Sequence, residues 1–144
     1  MNWDELDNSP IAIRAFLEDG GITLKKRWGQ NFMISPQARS RIVSILEPKE
    51  DDVIWEIGPG LGAITSRLLG RAERVVVFKI DHGIIRVLRK RFGDSLLIVP
   101  GDAVDSIRAW AADGPPAPDR VVGNLPYSSA APIVATLLHS PAAN

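Results

Sequence analysis

A glycine-rich segment, Gly58-Pro59-Gly60-Leu61-Gly62, follows the largely apolar run 53–57 and precedes a predicted helix. Glycine lets the backbone turn sharply and lets a ligand approach the main chain closely. The helix that follows presents free N–H groups and the positive end of its dipole, which suit a phosphate or carboxylate. Because residue 63 is Ala, the spacing also permits a G-x-G-x-x-A variant of the dinucleotide fingerprint. The segment indicates either a nucleoside cofactor or a tight turn that binds nothing.

The segment Asn124-Leu125-Pro126-Tyr127 combines hydrogen-bond acceptors with an aromatic ring. An adenine amine is a poor nucleophile because its lone pair is delocalised, and the Asn124 side-chain oxygen and Leu125 carbonyl would help to localise that pair. Pro126 would fix the turn, and Tyr127 offers a face on which an extruded base can stack. Methyl transfer would then need alignment more than a strong base. An Asn-x-Pro turn before a helix also occurs without any function.

Two other segments are weak indicators of function when each is taken alone. Asp102 follows a predicted strand and suits either a hydrogen bond to the adenine amine of a cofactor or the N-cap of a helix. The amide-rich segment 29–33 would either cover a ligand or form a plain surface loop.

Two basic clusters, 25–27 and the group Arg86, Arg89, Lys90 and Arg91, are interpreted mainly as solvated surface.

Alternating strands and helices would position these segments. The periodicity predicts strands over 53–57, 75–80, 95–99 and 120–123. Two early helices begin at Ser9-Pro10 and Ser35-Pro36, and others span 63–69, 83–92, 104–112 and 131–138. This alternation predicts an α/β fold with a parallel sheet and helices on both faces. Right-handed crossovers would bring the loops after the strands together at the carboxyl edge of the sheet.

Composition restricts the class of protein. The chain has no Cys and two His, which argues against disulfides, a thiolate nucleophile and a metal site. No apolar run is long enough for a membrane helix, and the acidic start does not resemble a signal peptide, so we expect a cytoplasmic protein without membrane contact. The 17 basic and 17 acidic residues give no overall basic bias toward nucleic acid.

Four segments, taken together in their order and spacing, resemble the rRNA adenine dimethyltransferase family, which includes KsgA-type small-subunit enzymes and erythromycin-resistance methylases. They are 29–33 (GQNFM), 56–62 (EIGPGLG), 101–103 (GDA) and 124–127 (NLPY). The GDA and NLPY forms look closer to the KsgA type. The resemblance implies a Rossmann-like class I methyltransferase sheet. It also implies S-adenosylmethionine as cofactor and dimethylation of adenine amines in small-subunit ribosomal RNA.

The resemblance also implies roles for individual residues. Asn124, Leu125, Pro126 and Tyr127 would be catalytic, with Asn124 also touching the cofactor and Tyr127 stacking on the target base. Gly58 would lie beneath the methionine part of the cofactor, and Asp102 would hold its adenine. The predicted cofactor-binding residues are Asn31, Met33 (where the family usually has Leu), Glu56, Gly58, Gly60, Lys79, Asp102 and Asn124. Candidate contacts to RNA phosphates are Lys25, Lys26, Arg27, Arg86 and Arg89.

This chain departs from the family pattern in two ways. Lys79 stands where the family has a Glu that binds the ribose hydroxyls; an ammonium group only donates, so we expect weakened cofactor binding. Asp81 lies on the same side of an extended strand, but the family already has an Asp there, which argues against it as a substitute. The second departure is length, because the chains of family members continue beyond the position of residue 144. We therefore expect a helical, cofactor-covering segment over 1–50 and a partial methyltransferase domain over 51–144 that is weak or inactive alone. Its fourth strand would be an open edge that favours self-association.

Three alternatives stay open. A DNA adenine methylase uses a similar motif, but Leu125 and the segment 30–32 argue against it. A nicotinamide-dependent oxidoreductase is disfavoured by the glycine spacing, Lys79 and the Asn124 motif. A ribosome-assembly or RNA-binding protein with a degenerate, non-catalytic methyltransferase fold is compatible with Lys79 and with the missing C-terminal part.

Overall fold

Four parallel strands form the centre of the molecule. The computed structural model describes residues 2–22, 35–79, 81–123 and 127–143, with the backbone alone described over 127–129. The sheet order is β3-β2-β1-β4, where the strands are β1 (Val53–Ile57), β2 (Arg74–Lys79), β3 (Leu96–Pro100) and β4 (Arg120–Gly123). The predicted parallel α/β sheet is confirmed, and β4 is an edge strand of the described sheet.

Helices precede the sheet and follow each strand. Those before it are α1 (Trp3–Asp7), α2 (Pro10–Asp19) and α3 (Pro36–Leu46). Those between and after the strands are α4 (Thr65–Leu68), α5 (His82–Phe92), α6 (Ala103–Arg108) and α7 (Tyr127–His139), with short 3-10 turns at Gly93–Ser95 and Pro141–Ala143. Within the ranges described, none of these helices has the length and apolar character that a bilayer crossing requires.

Two apolar cores lie on opposite faces of the sheet. Ile54, Val75 and Val77 point to one face and pack with buried side chains of α1 to α5. Trp55 and Val76, which alternate with them along the strands, point to the other face and pack with α6, α7 and the last 3-10 turn. The predicted arrangement of helices on both faces is therefore confirmed.

The two predicted serine-proline helix starts are confirmed. The Ser9 hydroxyl accepts from the backbone N–H of Ala12 at 3.1 Å, and the Ser35 hydroxyl accepts from that of Ala38 at 3.2 Å. Pro follows each Ser at the first helical position, where its missing N–H costs no hydrogen bond. Sequence reasoning missed α1, although Asn2 caps it and acidic residues occupy its first turn.

Three predicted helix boundaries were wrong. The helix predicted over 63–69 is limited to α4 because the glycine turn extends through residue 64. The helix predicted over 104–112 ends at Arg108, and Trp110 then donates its indole N–H to the Pro115 carbonyl at 2.7 Å. The helix predicted over 131–138 begins earlier, at Tyr127, with Pro132 in its interior rather than in its first turn.

The proline-rich segment 114–118 is a loop, and hydrogen bonds from one buried and one half-buried indole hold it in place. Besides the bond from Trp110, the indole N–H of the fully buried Trp55 donates to the Pro116 carbonyl at 2.8 Å. Trp55 also packs edge-on against Phe78, with ring centroids 4.9 Å apart. The loop is thereby tied to the second core.

Candidate functional site

The carboxyl ends of the strands bring four predicted site segments to one edge of the sheet. Ile57 is paired with Phe78 of β2 and with Gly123 of β4, and Lys79 is paired with Pro100 of β3. The glycine turn, Lys79, Gly101-Asp102 and the segment after β4 therefore all begin at this edge. This is the position at which open α/β sheets bind their ligands.

The glycine turn requires backbone conformations that favour glycine. Gly58, Gly60 and Gly62 have φ values of 71°, 56° and 95°. The N–H of Gly62 closes the turn by donating to the Pro59 carbonyl at 3.0 Å. A Cβ at Gly62 would lie 2.4 Å from Cε2 of Phe92, so the ring of α5 occupies the space that a side chain would need. The turn is built into the core of the domain.

Glu56 lies directly before this turn and is only 2% exposed. Its two carboxyl oxygens lie 3.0 and 2.7 Å from the Thr65 hydroxyl of α4. Burial raises the pKa of Glu56 to about 8, and the hydrogen bond from Thr65 opposes that rise. The side chain thus connects the end of β1 to α4, the helix that follows the glycine turn.

Lys79 ends β2 and is half-buried. Strand alternation places it on the same face of the sheet as Val75 and Val77, which belong to the first core. Burial lowers the pKa of the Lys79 ammonium, and the nearby charge of Asp81 partly opposes this. The carboxylate of Asp81 accepts from the backbone N–H of Ile84 at 2.9 Å, so Asp81 caps α5.

Asp102 caps the next helix. Its Oδ1 accepts from the backbone N–H of Asp105 at 3.0 Å, so the N-cap interpretation of this residue is confirmed. The residue is exposed at the sheet edge. The preceding Gly101 has a φ of 125° and donates its N–H to the Lys79 carbonyl at 3.0 Å, which joins the loop after β3 to the end of β2.

Several predicted site residues lie outside the described residues: Lys25, Lys26, Arg27, Asn31, Met33, Asn124, Leu125 and Pro126. Tyr127 is the first residue of α7, and only its backbone is described. Across the described ranges, no cluster of three or more His, Asp or Glu side chains is arranged to hold a metal ion.

The basic residues of α5 divide into two groups. Arg86, Arg89 and Lys90 are exposed, as expected of a solvated face. The interpretation of Arg91 as surface was wrong, because its side chain is 4% exposed and forms an ion pair with Asp7 at 2.7 Å. The helical spacing of Ile84, Leu88 and Arg91 (i, i+4, i+7) places Arg91 beside the apolar stripe, a signal that sequence reasoning overlooked.

Comparison with known proteins gives a consistent result. Residues 21–144 match the family model described as "Ribosomal RNA adenine dimethylase". A ribosomal RNA small subunit methyltransferase A of Treponema pallidum is 39% identical over 133 residues, which are 92% of this chain and 46% of that protein. The chain therefore spans about half the length of the curated relative it matches.

Solved structures give the same fold. A dimethyladenosine transferase from Plasmodium falciparum superposes with a TM-score of 0.63 at 28% identity, covering 74% of this chain and 38% of that one. The 23S rRNA methyltransferase ErmE superposes with a TM-score of 0.62 at 29% identity, covering 75% of this chain and 43% of that one. The expected Rossmann-like methyltransferase fold is confirmed.

Proposed function

This chain belongs to the ribosomal RNA adenine dimethylase family, and on that premise we propose that it binds S-adenosylmethionine and serves in the dimethylation of adenine amines in small-subunit ribosomal RNA. The observation that carries the proposal is the convergence of the glycine turn, Lys79, Asp102 and the end of β4 at one sheet edge. A ribosomal RNA substrate also favours a cytoplasmic location.

Among the described residues at this edge, Gly58, Gly60 and Asp102 suit the cofactor and Lys79 does not. Gly58 and Gly60, with their positive φ values, would let the methionine part approach the main chain, and the exposed carboxylate of Asp102 would accept from the adenine amine. When bound, the cofactor would supply a methyl group carried on a positively charged sulfur. Lys79 does not fit, because it has no acceptor for the ribose hydroxyls. The proposed cofactor-binding residues also include Asn31, Met33 and Glu56. We propose that the segment 1–50 covers the bound cofactor.

The proposed catalytic segment is Asn124-Leu125-Pro126-Tyr127, which begins directly after β4. The Asn124 side-chain oxygen and the Leu125 carbonyl would accept hydrogen bonds from the target adenine amine and so make its lone pair available. Tyr127 would stack on the extruded base, and Pro126 would fix the turn between them. Holding the amine in line with the methyl group is then the main task of the protein.

The proposed partner is the small ribosomal subunit. The exposed Arg86 and Arg89 of α5, together with Lys25, Lys26 and Arg27, would contact RNA phosphates. If these contacts form, affinity for ribosomal RNA falls steeply as the salt concentration rises, and Arg86→Gln with Arg89→Gln reduces that dependence. An affinity that does not change with salt would exclude them.

The β4 edge is a second proposed contact. Its outer backbone groups have no neighbouring strand in the described sheet, and such an edge favours pairing with another chain. We propose that two copies associate there. Sedimentation velocity over a concentration series tests this, since dimerisation raises the sedimentation coefficient with concentration, whereas a constant monomer value contradicts it.

Methyl transfer tests the proposed activity. The chain is incubated with small-subunit ribosomal RNA and S-adenosylmethionine bearing a deuterated methyl group, and the RNA nucleosides are then analysed by mass spectrometry. We expect only weak labelling of mono- and dimethyladenosine with the natural chain, because Lys79 weakens cofactor binding, and none with Asn124→Ala, which removes an amine acceptor. Cofactor binding without any labelled adenosine would instead support the non-catalytic RNA-binding alternative, which Lys79 keeps open.

A further inference from the structure

Arg91, in the last turn of α5, makes an unusual set of contacts for a basic residue of a helix. Its Nη1 and Nη2 donate to the two carboxylate oxygens of Asp7 at 2.9 and 2.7 Å. Its Nη1 also donates to the main-chain carbonyl of Leu61 at 2.9 Å. The guanidinium lies over the ring of Trp3, 4.9 Å from its centroid. Arg91 thus joins α1 to the glycine turn.

The ion pair is buried on both sides, with Arg91 and Asp7 side chains 4% and 6% exposed. Desolvation makes a buried ion pair a weak source of stability compared with apolar packing of the same volume. The planar guanidinium does offer five donors in a fixed geometry, so one side chain can hold a carboxylate and a carbonyl at defined positions. The arrangement is better suited to fixing geometry than to adding stability.

The carboxylate partner is itself held in place. Arg39 of α3 donates from Nη1 to the Asp7 carbonyl at 3.2 Å and from Nη2 to the side-chain oxygen of Asn8. Two arginines from different helices therefore fix the end of α1. Asp7 is a firm anchor for Arg91 rather than a mobile surface acid.

The same turn of α5 contacts the next residue of the glycine turn. The Phe92 ring fills the space beside Gly62, where an added Cβ would meet it at 2.4 Å. Arg91 fixes the Leu61 carbonyl one residue earlier. The second half of the glycine turn is thus held at two consecutive residues, by one hydrogen bond and one ring contact.

We infer that Arg91, anchored by Asp7, is a positioning residue that sets the conformation of the glycine turn for the cofactor. The inference rests on the proposed function, because it assigns that turn to S-adenosylmethionine. It makes cofactor affinity depend on α1, which precedes the sheet in the chain and packs against it in the first core. Neither Arg91 nor Asp7 needs to touch the cofactor for this effect.

The test compares Arg91→Lys and Asp7→Asn with Arg120→Gln. Lys keeps the charge beside Asp7, but its ammonium lacks the planar fork with which Arg91 donates to both carboxylate oxygens and to the Leu61 carbonyl in a fixed geometry. Arg120→Gln removes the ion pair with Asp52, whose Oδ2 lies 2.7 Å from the Arg120 Nε at the amino end of the sheet, and so controls for a general loss of stability. Calorimetry gives the dissociation constant for S-adenosylmethionine, and urea unfolding gives the stability of each variant.

We expect the affinity to fall about tenfold in Arg91→Lys and Asp7→Asn, in line with one lost hydrogen bond to a charged group, and to stay unchanged in Arg120→Gln. Hydrogen exchange at the Leu61 and Gly62 amides should rise in the first two variants only. Unchanged affinity and exchange in folded Arg91→Lys, or an equal loss in Arg120→Gln, would overturn the inference. If the natural chain binds no cofactor, the proposed function fails, and the exchange rates still decide whether Arg91 fixes the turn.

Discussion

At the scale of single residues, burial shifts the pKa of two described ionisable groups near the site, upward for Glu56 and downward for Lys79. Glu56 is enclosed between β1 and α4 with the Thr65 hydroxyl as its hydrogen-bond partner. The Thr65 hydroxyl has one proton and can donate to only one Glu56 oxygen at a time. The contact with the second oxygen is favourable when that oxygen carries a proton and donates it to the hydroxyl. Sequence motifs predicted Glu56 as a site residue but did not predict its burial, which depends on where α4 packs.

The buried carboxyl group of Glu56 should make stability depend on pH. Its pKa is about 8 in the folded protein against an ordinary value of 4.5, so between these limits the folded state holds a proton that the unfolded chain has released. The free energy of unfolding therefore falls as pH rises through this range, by up to about 1.4 kcal/mol per pH unit. Glu56→Gln should remove this contribution, as measured by urea unfolding from about pH 5 to about pH 8. The exposed Glu50→Gln is the control, and a natural chain whose pH profile matches that of Glu56→Gln would contradict the assignment.

Lys79 offers the sharpest test of a single cofactor contact. A carboxylate in its place would accept from the two ribose hydroxyls, and a hydrogen bond to a charged group contributes about 1.5–3 kcal/mol. Lys79→Glu should therefore tighten S-adenosylmethionine binding by about tenfold or more in calorimetry. Lys90→Glu makes the same change of charge on the exposed face of α5 and should not alter affinity. Equal affinities for the natural chain and Lys79→Glu would remove the ribose argument.

At the scale of elements, the glycine turn and α5 form one packed unit. The sequence predicted the turn because its glycines follow an apolar strand, and the structure gives all three glycines positive φ values. The contacts of the turn with Phe92 and Arg91 join segments about 30 residues apart, and no local pattern reports such contacts. Helix ends were less predictable than helix starts, because a serine-proline start is a local signal, while α4 and α6 end where turns and an indole contact intervene.

Gly62→Ala tests this packing. The new Cβ would lie 2.4 Å from the Phe92 ring and at a φ of 95°, so both backbone strain and overpacking would oppose it. Gly70→Ala has a similar φ of 88° but no atom within 4 Å of the new Cβ, and it isolates the strain. We expect a loss of about 1–2 kcal/mol for Gly70→Ala and at least about 1 kcal/mol more for Gly62→Ala in urea unfolding. Equal losses would show that the Phe92 contact does not constrain the turn.

At the scale of the whole molecule, the sheet and its carboxyl edge followed from the alternation of strands and helices. The strand β4 was predicted with its observed bounds, and β1 likewise, because turn-forming residues flank both. The attachment of α1 was not predictable, since it depends on the buried pair of Asp7 and Arg91, which are far apart in sequence. Sequence motifs, rather than the fold, pointed to the methyltransferase family, and the fold then placed the glycine turn and Gly101-Asp102 at the same edge of the sheet.

The most direct measurement is the calorimetric affinity of this chain for S-adenosylmethionine, with a nicotinamide dinucleotide as the control ligand. The account predicts saturable binding of S-adenosylmethionine at one site per chain and none of the dinucleotide. A sample with a cooperative unfolding transition that binds neither ligand, or that prefers the dinucleotide, would contradict the assignment of the carboxyl edge to a methyl-donor cofactor.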